Sequence, residues 1–442
     1  MKRRLVSTLL ALLLLFIIPA QASAAERAIV RTESSLLLSG STIVKSACSL
    51  VGCQLLYGID GTLGRLFLVL IPDPLDPEAV VATLATLPGI LDAELDQIVR
   101  TTGADGDSAP PALLDDEPLG YYGVTVRAGY VRQPAEMILG ITKAHSKYGV
   151  TGKGITVAVI DTGVDPSHPV LKPILLTGYD FTRNRDGGSE RSDVDQSTMA
   201  VLDGAEPGWV NQSTMAVLDQ STMAVLDDPE HAAFGHGTMV AGVIHLTAPR
   251  AKILPLKAFR SDGSGYASDV LRAIYVAVNA GAKVINMSFS FSTFSRELER
   301  TMSYATSKGV IGVGSAGNDG QRIDVYPASL STVIGVASST DWDTLSDFSN
   351  FGPNVAWITA PGEAIVSTYP FGTYAAAWGT SFSAPFAAGT AALLAEVSKK
   401  VSSTQAADAE GKYTVWLSSE VSKGRMYVPA AVRAWREKLG LK

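Results

Sequence analysis

The sequence predicts an α/β protein in which a mostly parallel sheet is covered by helices, preceded by a smaller α+β domain. Three observations predict it. Short continuous apolar runs at 155–160, 253–259, 283–287, 310–313, 333–337 and 355–359 have the length of strands buried on both faces. Helical patterns at 135–148, 268–279 and 295–307 alternate with them, as the crossovers of a parallel sheet require. A separate strand, helix, strand pattern precedes them within residues 28–100.

The bulk numbers agree. At 442 residues the chain is too long for one average domain, which predicts two or three. Apolar residues make up 46% and charged residues 18%, enough for a large core. A net charge of -7 supplies no basic field, which argues against nucleic acid or an anionic membrane as partner.

Along the chain, the first element is a leader. Lys2-Arg3-Arg4 precedes an apolar run over 5–18 broken only by Ser7 and Thr8, and Ala22-Ser23-Ala24 is a small-residue cleavage site. Residues 1–24 read as a secretory signal peptide cut near Ala24, because the run is too short to span a bilayer. No second such segment follows, so the expectation is an exported protein (extracellular or periplasmic) without a stable membrane anchor.

Residues 25–100 read as the small domain. A strand at 66–71 ends at Pro72, and a helix over 77–85 opens with Pro77 and Glu78. Pro88-Gly89 stops that helix, and residues 90–99 alternate as a strand. Cys48 and Cys53 are the chain's two cysteines; an exported Cys-x4-Cys loop can close as a disulfide or stay reduced, and two ligands are too few for zinc. Residues 101–120, rich in Gly, Pro and acid, read as solvated, within a linker over 101–130 that holds the processing site. Residues 131–437 hold the alternating strands and helices. Within them Gln-Ser-Thr-Met-Ala-Val-Leu-Asp occurs at 196–203, 212–219 and 220–227. A period of eight is too short for a solenoid unit; the segment 190–228 reads as an expanded surface insertion or, alternatively, as a lid or autoprocessing element beside the cleft.

Three motifs carry the chemistry. Val157-Ala158-Val159-Ile160-Asp161-Thr162-Gly163 ends an apolar strand in a carboxylate, where parallel sheets place active residues. Gly235-His236-Gly237-Thr238 sets an imidazole between small residues at a helix start. Gly379-Thr380-Ser381-Phe382-Ser383-Ala384-Pro385 sets a hydroxyl at another, with Pro385 read as lying in the first turn of a helix over 384–396. A serine hydroxyl is a poor nucleophile until a base takes its proton and a carboxylate orients that base. His145, His168, His231 and His245 lack such a context and read as structural.

In this Asp, His, Ser order and in these motifs the chain resembles the subtilase family of serine endopeptidases. The resemblance implies the subtilisin-like three-layer fold, with Asp161 orienting His236, His236 as base and Ser381 as nucleophile. It implies that Asn318, within Gly314-Ser315-Ala316-Gly317-Asn318-Asp319-Gly320, donates to the oxyanion. It also implies that Ser288, Phe289 and Ser290 pair with the substrate backbone. Ser315, Ala316 and Gly317 would wall a small, neutral primary pocket suited to an uncharged side chain. Residues 25–100 are similar to a subtilase propeptide, which acts as folding aid and intramolecular inhibitor. The implied partners are protein or peptide substrates, and no cofactor is implied for catalysis.

The departures are specific. Met239 stands where a second histidine is common in the family, Phe386-Ala387 where His-Val is usual, and Phe289 and Ser290 where Leu and Gly are usual. Few residues separate Gly242 from Ala248, so the usual calcium loop is missing there and no metal ligand is assigned, though structural calcium elsewhere stays open. The rival expectation is a non-catalytic subtilase-like binding protein, and an esterase using the same residues is a third. The sequence leaves the physiological substrate, the processing site, the role of the repeats and the oligomeric state open.

Overall fold

The structure, a computed structural model, describes residues 26–33, 38–100, 110–193 and 231–441. The leader at 1–24 and all three repeat copies lie outside the described residues, as does the 101–109 part of the linker. The chain divides into two compact units, one over residues up to 57 together with 65–95, the other over 58–64 together with everything from 96 onward.

In the smaller unit the elements run β1 (Glu26–Thr32), α1 (Gly40–Val51), β2 (Gln54–Gly58), β3 (Leu66–Ile71), α2 (Pro77–Leu84) and β4 (Ile90–Leu95). Strand order is β2-β3-β1-β4, and β1 runs antiparallel to both of its neighbours. One sheet face, with Ala28, Val30, Phe67 and Val69, packs on Ile43, Val44 and Ala47 of α1 and Val80 and Leu84 of α2. Asp76 caps α2 through Glu78 N, with Pro77 at the first position. Cys48 and Cys53 form a disulfide that ties the end of α1 to the residue before β2.

In the larger unit the first elements are β5 (Ile98–Arg100), α3 (Pro111–Leu114), β6 (Pro118–Tyr121), β7 (Val124–Arg127), α4 (Ala128–Arg132), α5 (Pro134–Leu139), α6 (Ile141–Tyr148) and β8 (Thr156–Asp161). There follow β9 (Tyr179–Asp180), β10 (Arg185–Asp186), α7 (His236–Thr247), β11 (Lys252–Lys257), β12 (Ser264–Tyr266), α8 (Ala267–Asn279), β13 (Val284–Met287), α9 (Arg296–Ser307) and β14 (Ile311–Ser315). The last are β15 (Val333–Ser339), β16 (Ile358–Pro361), β17 (Ile365–Tyr369), β18 (Thr373–Ala377), α10 (Thr380–Val397), α11 (Ser403–Glu410) and α12 (Val428–Lys438).

Among the described residues the main sheet has eight strands in the order β10-β9-β11-β8-β13-β14-β15-β16, parallel throughout except for β10. Helices α7 and α10 pack together against it, as do α8 and α9, so the sheet is the middle of three layers. That double cover is why β8 and β13 to β16 are buried at nearly every position and read as continuous apolar runs. Among the described residues no helix is long and apolar enough to cross a membrane.

Three expectations change. The linker does not reach residue 130: Leu113, Tyr121, Val126 and Tyr130 are buried in the main core, with the Tyr121 and Tyr130 hydroxyls donating to Leu246 O and Gly242 O at 2.6 Å each. The density of proline and acid hid those widely spaced apolar positions. The helix expected over 135–148 is two helices, because Gly140 takes a left-handed conformation (φ 67°) that ends α5. Finally, α10 starts at Thr380, so Pro385 lies inside the helix rather than in its first turn.

Candidate active site

Asp161 is the last residue of β8, the strand flanked by β11 and β13 in mid-sheet. Its Oδ1 accepts from Thr162 N at 2.7 Å and faces His236 Nδ1 at 2.6 Å. His236 is the first residue of α7, and Gly235 ahead of it takes φ 88°, a left-handed conformation that suits glycine. A side chain at Gly235 would also run into the Tyr369 ring, since a Cβ there lies 2.1 Å from Cε2. Asp161 and His236 have no exposed surface. A buried carboxylate 2.6 Å from Nδ1 fixes the ring and leaves Nε2 on its far side. Among the described residues Nε2 has no hydrogen-bond partner.

Ser381 is the second residue of α10, a helix that packs on α7, and the Phe382 ring lies 5.5 Å from the His236 ring. Its hydroxyl donates to Ser288 O at 3.2 Å. Pro385 has no N–H to give to the carbonyl four residues earlier, which is that of Ser381. Ser288 Oγ donates to this carbonyl instead, at 2.8 Å, and itself accepts from Asn286 Nδ2 at 2.9 Å. The proline inside the helix therefore couples the Ser381 backbone to the end of β13.

Asn318 follows β14. Its Oδ1 accepts from Thr380 N at 2.8 Å and Thr380 Oγ1 at 2.9 Å, and Thr380 Oγ1 accepts from Gly317 N at 3.0 Å. With the oxygen held by the residue before Ser381, the NH2 group is the part of the amide able to donate elsewhere. The N-terminal turn of α10 contributes further backbone N–H groups that have no partner within the helix, and its dipole favours negative charge there.

The residues expected to meet substrate separate into two kinds. Ser288, Phe289, Ser315 and Ala316 have no exposed surface, and Gly317 is buried. Phe289 packs between the rings of Phe259 (4.9 Å) and Phe291 (5.7 Å), so its side chain supports the β13 end from within. Ser290 is partly exposed and forms an antiparallel bridge with Arg100. On its other edge β5 pairs antiparallel with β12, Val99 opposite Gly265. Asp96, just before it, accepts from Ser268 N and Ser268 Oγ at 2.8 Å each. The segment Ile98–Arg100 thus lies as an extended strand between β12 and Ser290.

Sequence reasoning missed a buried polar cluster beside Asp161 and His236. Glu190, fully buried in the turn Glu190–Asp193, reaches Thr162, Gly235 and Thr238. Burial pushes its carboxyl up to about 8, against the Thr238 hydrogen bond and the Lys257 charge, which pull it down. Lys257, equally buried, ends β11 and donates to Thr162 O (2.7 Å), Phe259 O (2.6 Å) and Asp193 Oδ2 (2.6 Å). A lysine closing an apolar strand was the one signal available, since a buried lysine needs a partner. Asp165 accepts from Ser167 N at 2.9 Å and from Phe371 N at 2.8 Å, which braces the loop. Among the described residues no three His, Cys, Asp or Glu side chains are grouped to hold a metal ion.

Residues 152–416 match the model of the subtilase family. Thermitase of Thermoactinomyces vulgaris is 32% identical over 298 residues, 64% of this chain and 90% of thermitase. A thermophilic serine proteinase of Bacillus sp. (strain AK1) is 37% identical over 242 residues, 55% of this chain and 52% of its own length. Subtilisin BL of Lederbergia lenta is 32% identical over 262 residues, 59% of this chain and 83% of that protein.

Proposed function

The chain belongs to the subtilase family of serine endopeptidases, and from that premise we propose that Asp161, His236 and Ser381 hydrolyse peptide bonds with Asn318 as oxyanion donor, in a secreted precursor that processes itself. The observation that carries this reading is the buried 2.6 Å contact between His236 Nδ1 and Asp161 Oδ1. The hydroxyl of Ser381 turns from Ser288 O to Nε2, which takes its proton as Oγ attacks the carbonyl carbon. Asp161 keeps the ring in the tautomer that receives the proton and stabilises the imidazolium that forms. Asn318 and the Ser381 N–H meet the oxyanion. Collapse breaks the C–N bond, the amine leaves with the proton from Nε2, and water attacks the acyl-enzyme by the same route. Subtilases act on proteins and need no cofactor for these steps.

Precursor processing is favoured by the β5 strand. It makes main-chain pairings on both edges, as an extended peptide does when it adds to a sheet edge. Asp161, His236 and Ser381 meanwhile have no exposed surface. In this reading residues 1–24 are the signal peptide, 25–100 the inhibitory propeptide and folding aid, and cleavage falls in the 101–130 segment that leads to the peptidase domain at 131–437. Glu190, where the 190–228 segment begins, is buried against Thr162, Gly235 and Thr238, so the first residues of that segment belong to the core rather than to a surface insertion. Residues 288–290 pair with substrate, and the small residues Ser315, Ala316 and Gly317 favour an uncharged side chain before the cut bond.

Intact mass of the purified full chain and of its Ser381→Ala variant, followed over hours, tests this. The native chain should shed its propeptide and then digest casein, while the variant stays whole. A native chain that stays whole, folds and leaves casein intact would instead make this a subtilase-like binding protein.

A further inference from the structure

We propose that Glu190 is a positioning residue that clamps the turn after Asp161 to the first turn of the His236 helix and so holds those two residues in register. This rests on the catalytic roles proposed above for Asp161 and His236.

The carboxylate reaches three donors. Oε2 accepts from Thr162 Oγ1 at 3.2 Å and from Gly235 N at 2.9 Å, while Oε1 accepts from Thr238 Oγ1. Thr162 directly follows Asp161, Gly235 directly precedes His236, and Thr238 lies two residues after it. Two of the donors reach further into the same pair of elements. Gly237 N donates to Thr162 Oγ1 at 3.1 Å, and Asp165 N donates to Thr238 Oγ1 at 2.8 Å. The Asp161 turn is held from its other side as well, because Lys257 Nζ donates to Thr162 O at 2.7 Å. Lys257 is in turn paired with Asp193, three residues beyond Glu190. The turn Glu190–Asp193 therefore grips the Asp161 end of β8 by two acidic side chains, one directly and one through Lys257.

The chemistry suits a clamp. The two oxygens of one carboxyl group can serve three hydrogen-bonding partners from two elements at once. Glu190 is wholly buried, so its removal takes the acceptor from donors that bulk water does not reach in the native fold. Truncation leaves two hydroxyls and one backbone N–H without their acceptor and lets the strand end and the helix start move apart. Geometry of this kind acts on turnover more than on substrate affinity, because a misplacement of about 1 Å costs about 100-fold in rate.

The test is steady-state kinetics of the enzyme obtained from the full chain, comparing Glu190→Ala and Glu190→Gln with the native protein. Each is normalised to sites labelled by a fluorophosphonate probe, with the labelling rate and Tm measured alongside. Gln keeps one acceptor oxygen for Thr162 and Gly235 and offers its NH2 to the Thr238 hydroxyl, which can accept. Glu190→Ala should lower kcat and the labelling rate by about 10- to 100-fold with KM within about twofold, and Glu190→Gln should restore most of the loss. A folded Glu190→Ala enzyme with kcat within about twofold of native, or one changed only in KM, overturns the proposal. If Glu190→Ala does not fold, Thr162→Val removes one hydroxyl from the clamp. It should lower kcat several-fold at constant KM, and unchanged kcat there overturns the proposal equally. A native chain that never labels overturns the catalytic reading itself, whereas a native chain and Glu190→Ala that label at the same rate overturn only the clamp.

Discussion

Gly237→Ala is the substitution whose consequence the structure states most sharply. Gly237 follows His236 in α7 and faces the turn after Asp161. A Cβ built on it lies 2.0 Å from Gly163 O, 3.0 Å from Gly163 C and 3.1 Å from Gly163 N. Ordinary contact begins at 3.4 Å, so the nearest approach is about 1.4 Å too short. The obstacle is backbone, which cannot rotate away as a side chain would. Gly163 has little room to retreat: its φ is 109°, and its own Cα already faces Glu190 N and Gly188 O, 2.7 and 2.8 Å from an ideal Cβ position. The added methyl therefore drives the α7 start from the β8 end by about an ångström and stretches the 2.6 Å contact between His236 and Asp161. Overpacking of this kind costs about 1–3 kcal/mol in stability. A misplacement of about 1 Å in a catalytic pair costs about 100-fold in rate. Hydrolysis of a peptide p-nitroanilide, with scanning calorimetry on the same sample, reads both. Gly237→Ala with Tm within about 2 °C of native and kcat within about twofold would refute the reasoning, because the methyl would then have found space that the backbone contact denies.

Other perturbations have equally definite outcomes. Asn318→Ala should lower kcat by about 10²–10³, the loss seen when such a donor is removed from a subtilisin, with little change in KM; a loss confined to KM would remove Asn318 from the oxyanion role. Lys257→Met strips the buried Asp193 of one of its cations and leaves the carbonyls of Thr162 and Phe259 without their donor, so urea unfolding should show a loss of about 3–5 kcal/mol. A loss under about 1 kcal/mol would mean the lysine is not structurally required. Burial, with a smaller contribution from His168, lowers His245 to about 3, and burial lowers His145 and His168 as well. These rings are neutral when folded and take protons near 6.5 when unfolded, so their contribution to stability is present above about 6.5 and is lost as pH falls toward 3. Tm should therefore drop between pH 7 and pH 4, less steeply in His245→Phe; an identical slope in that variant would exclude His245 as a source. Glu190 acts with the opposite sign, since its raised carboxyl favours the folded state below about 4.5 and loses that contribution as pH rises through about 8.

The parts of the fold that were legible are those in which one physical demand dominates. Strands β8, β11 and β13 to β16 are buried on both faces, so their apolar runs stand out and their positions were found to within a few residues. Asp161, His236 and Ser381 each interrupt such a pattern at a glycine turn, which made them visible as polar residues in places that packing does not explain. Elements serving two demands were harder. β1 carries Glu26, Arg27 and Arg31 among its buried residues, and Gly40 opens α1 where a stop would be expected. The start of α10 was misplaced because Pro385 reads as a first-turn residue, whereas the helix absorbs it and gives the orphaned Ser381 carbonyl to Ser288. Glu190 was illegible for a different reason. Its partners lie 28 residues back and 45 to 48 residues on in sequence, and only the packed fold brings them to one carboxylate.

The most direct test of the account is where a fluorophosphonate attaches. Peptide mass mapping of the labelled enzyme should place one adduct on Ser381, with none on Ser383 two residues away, and the adduct should disappear in His236→Ala while that variant stays folded. An adduct on Ser383, or on Ser381 at undiminished rate without His236, would contradict the assignment of His236 as the base that activates Ser381.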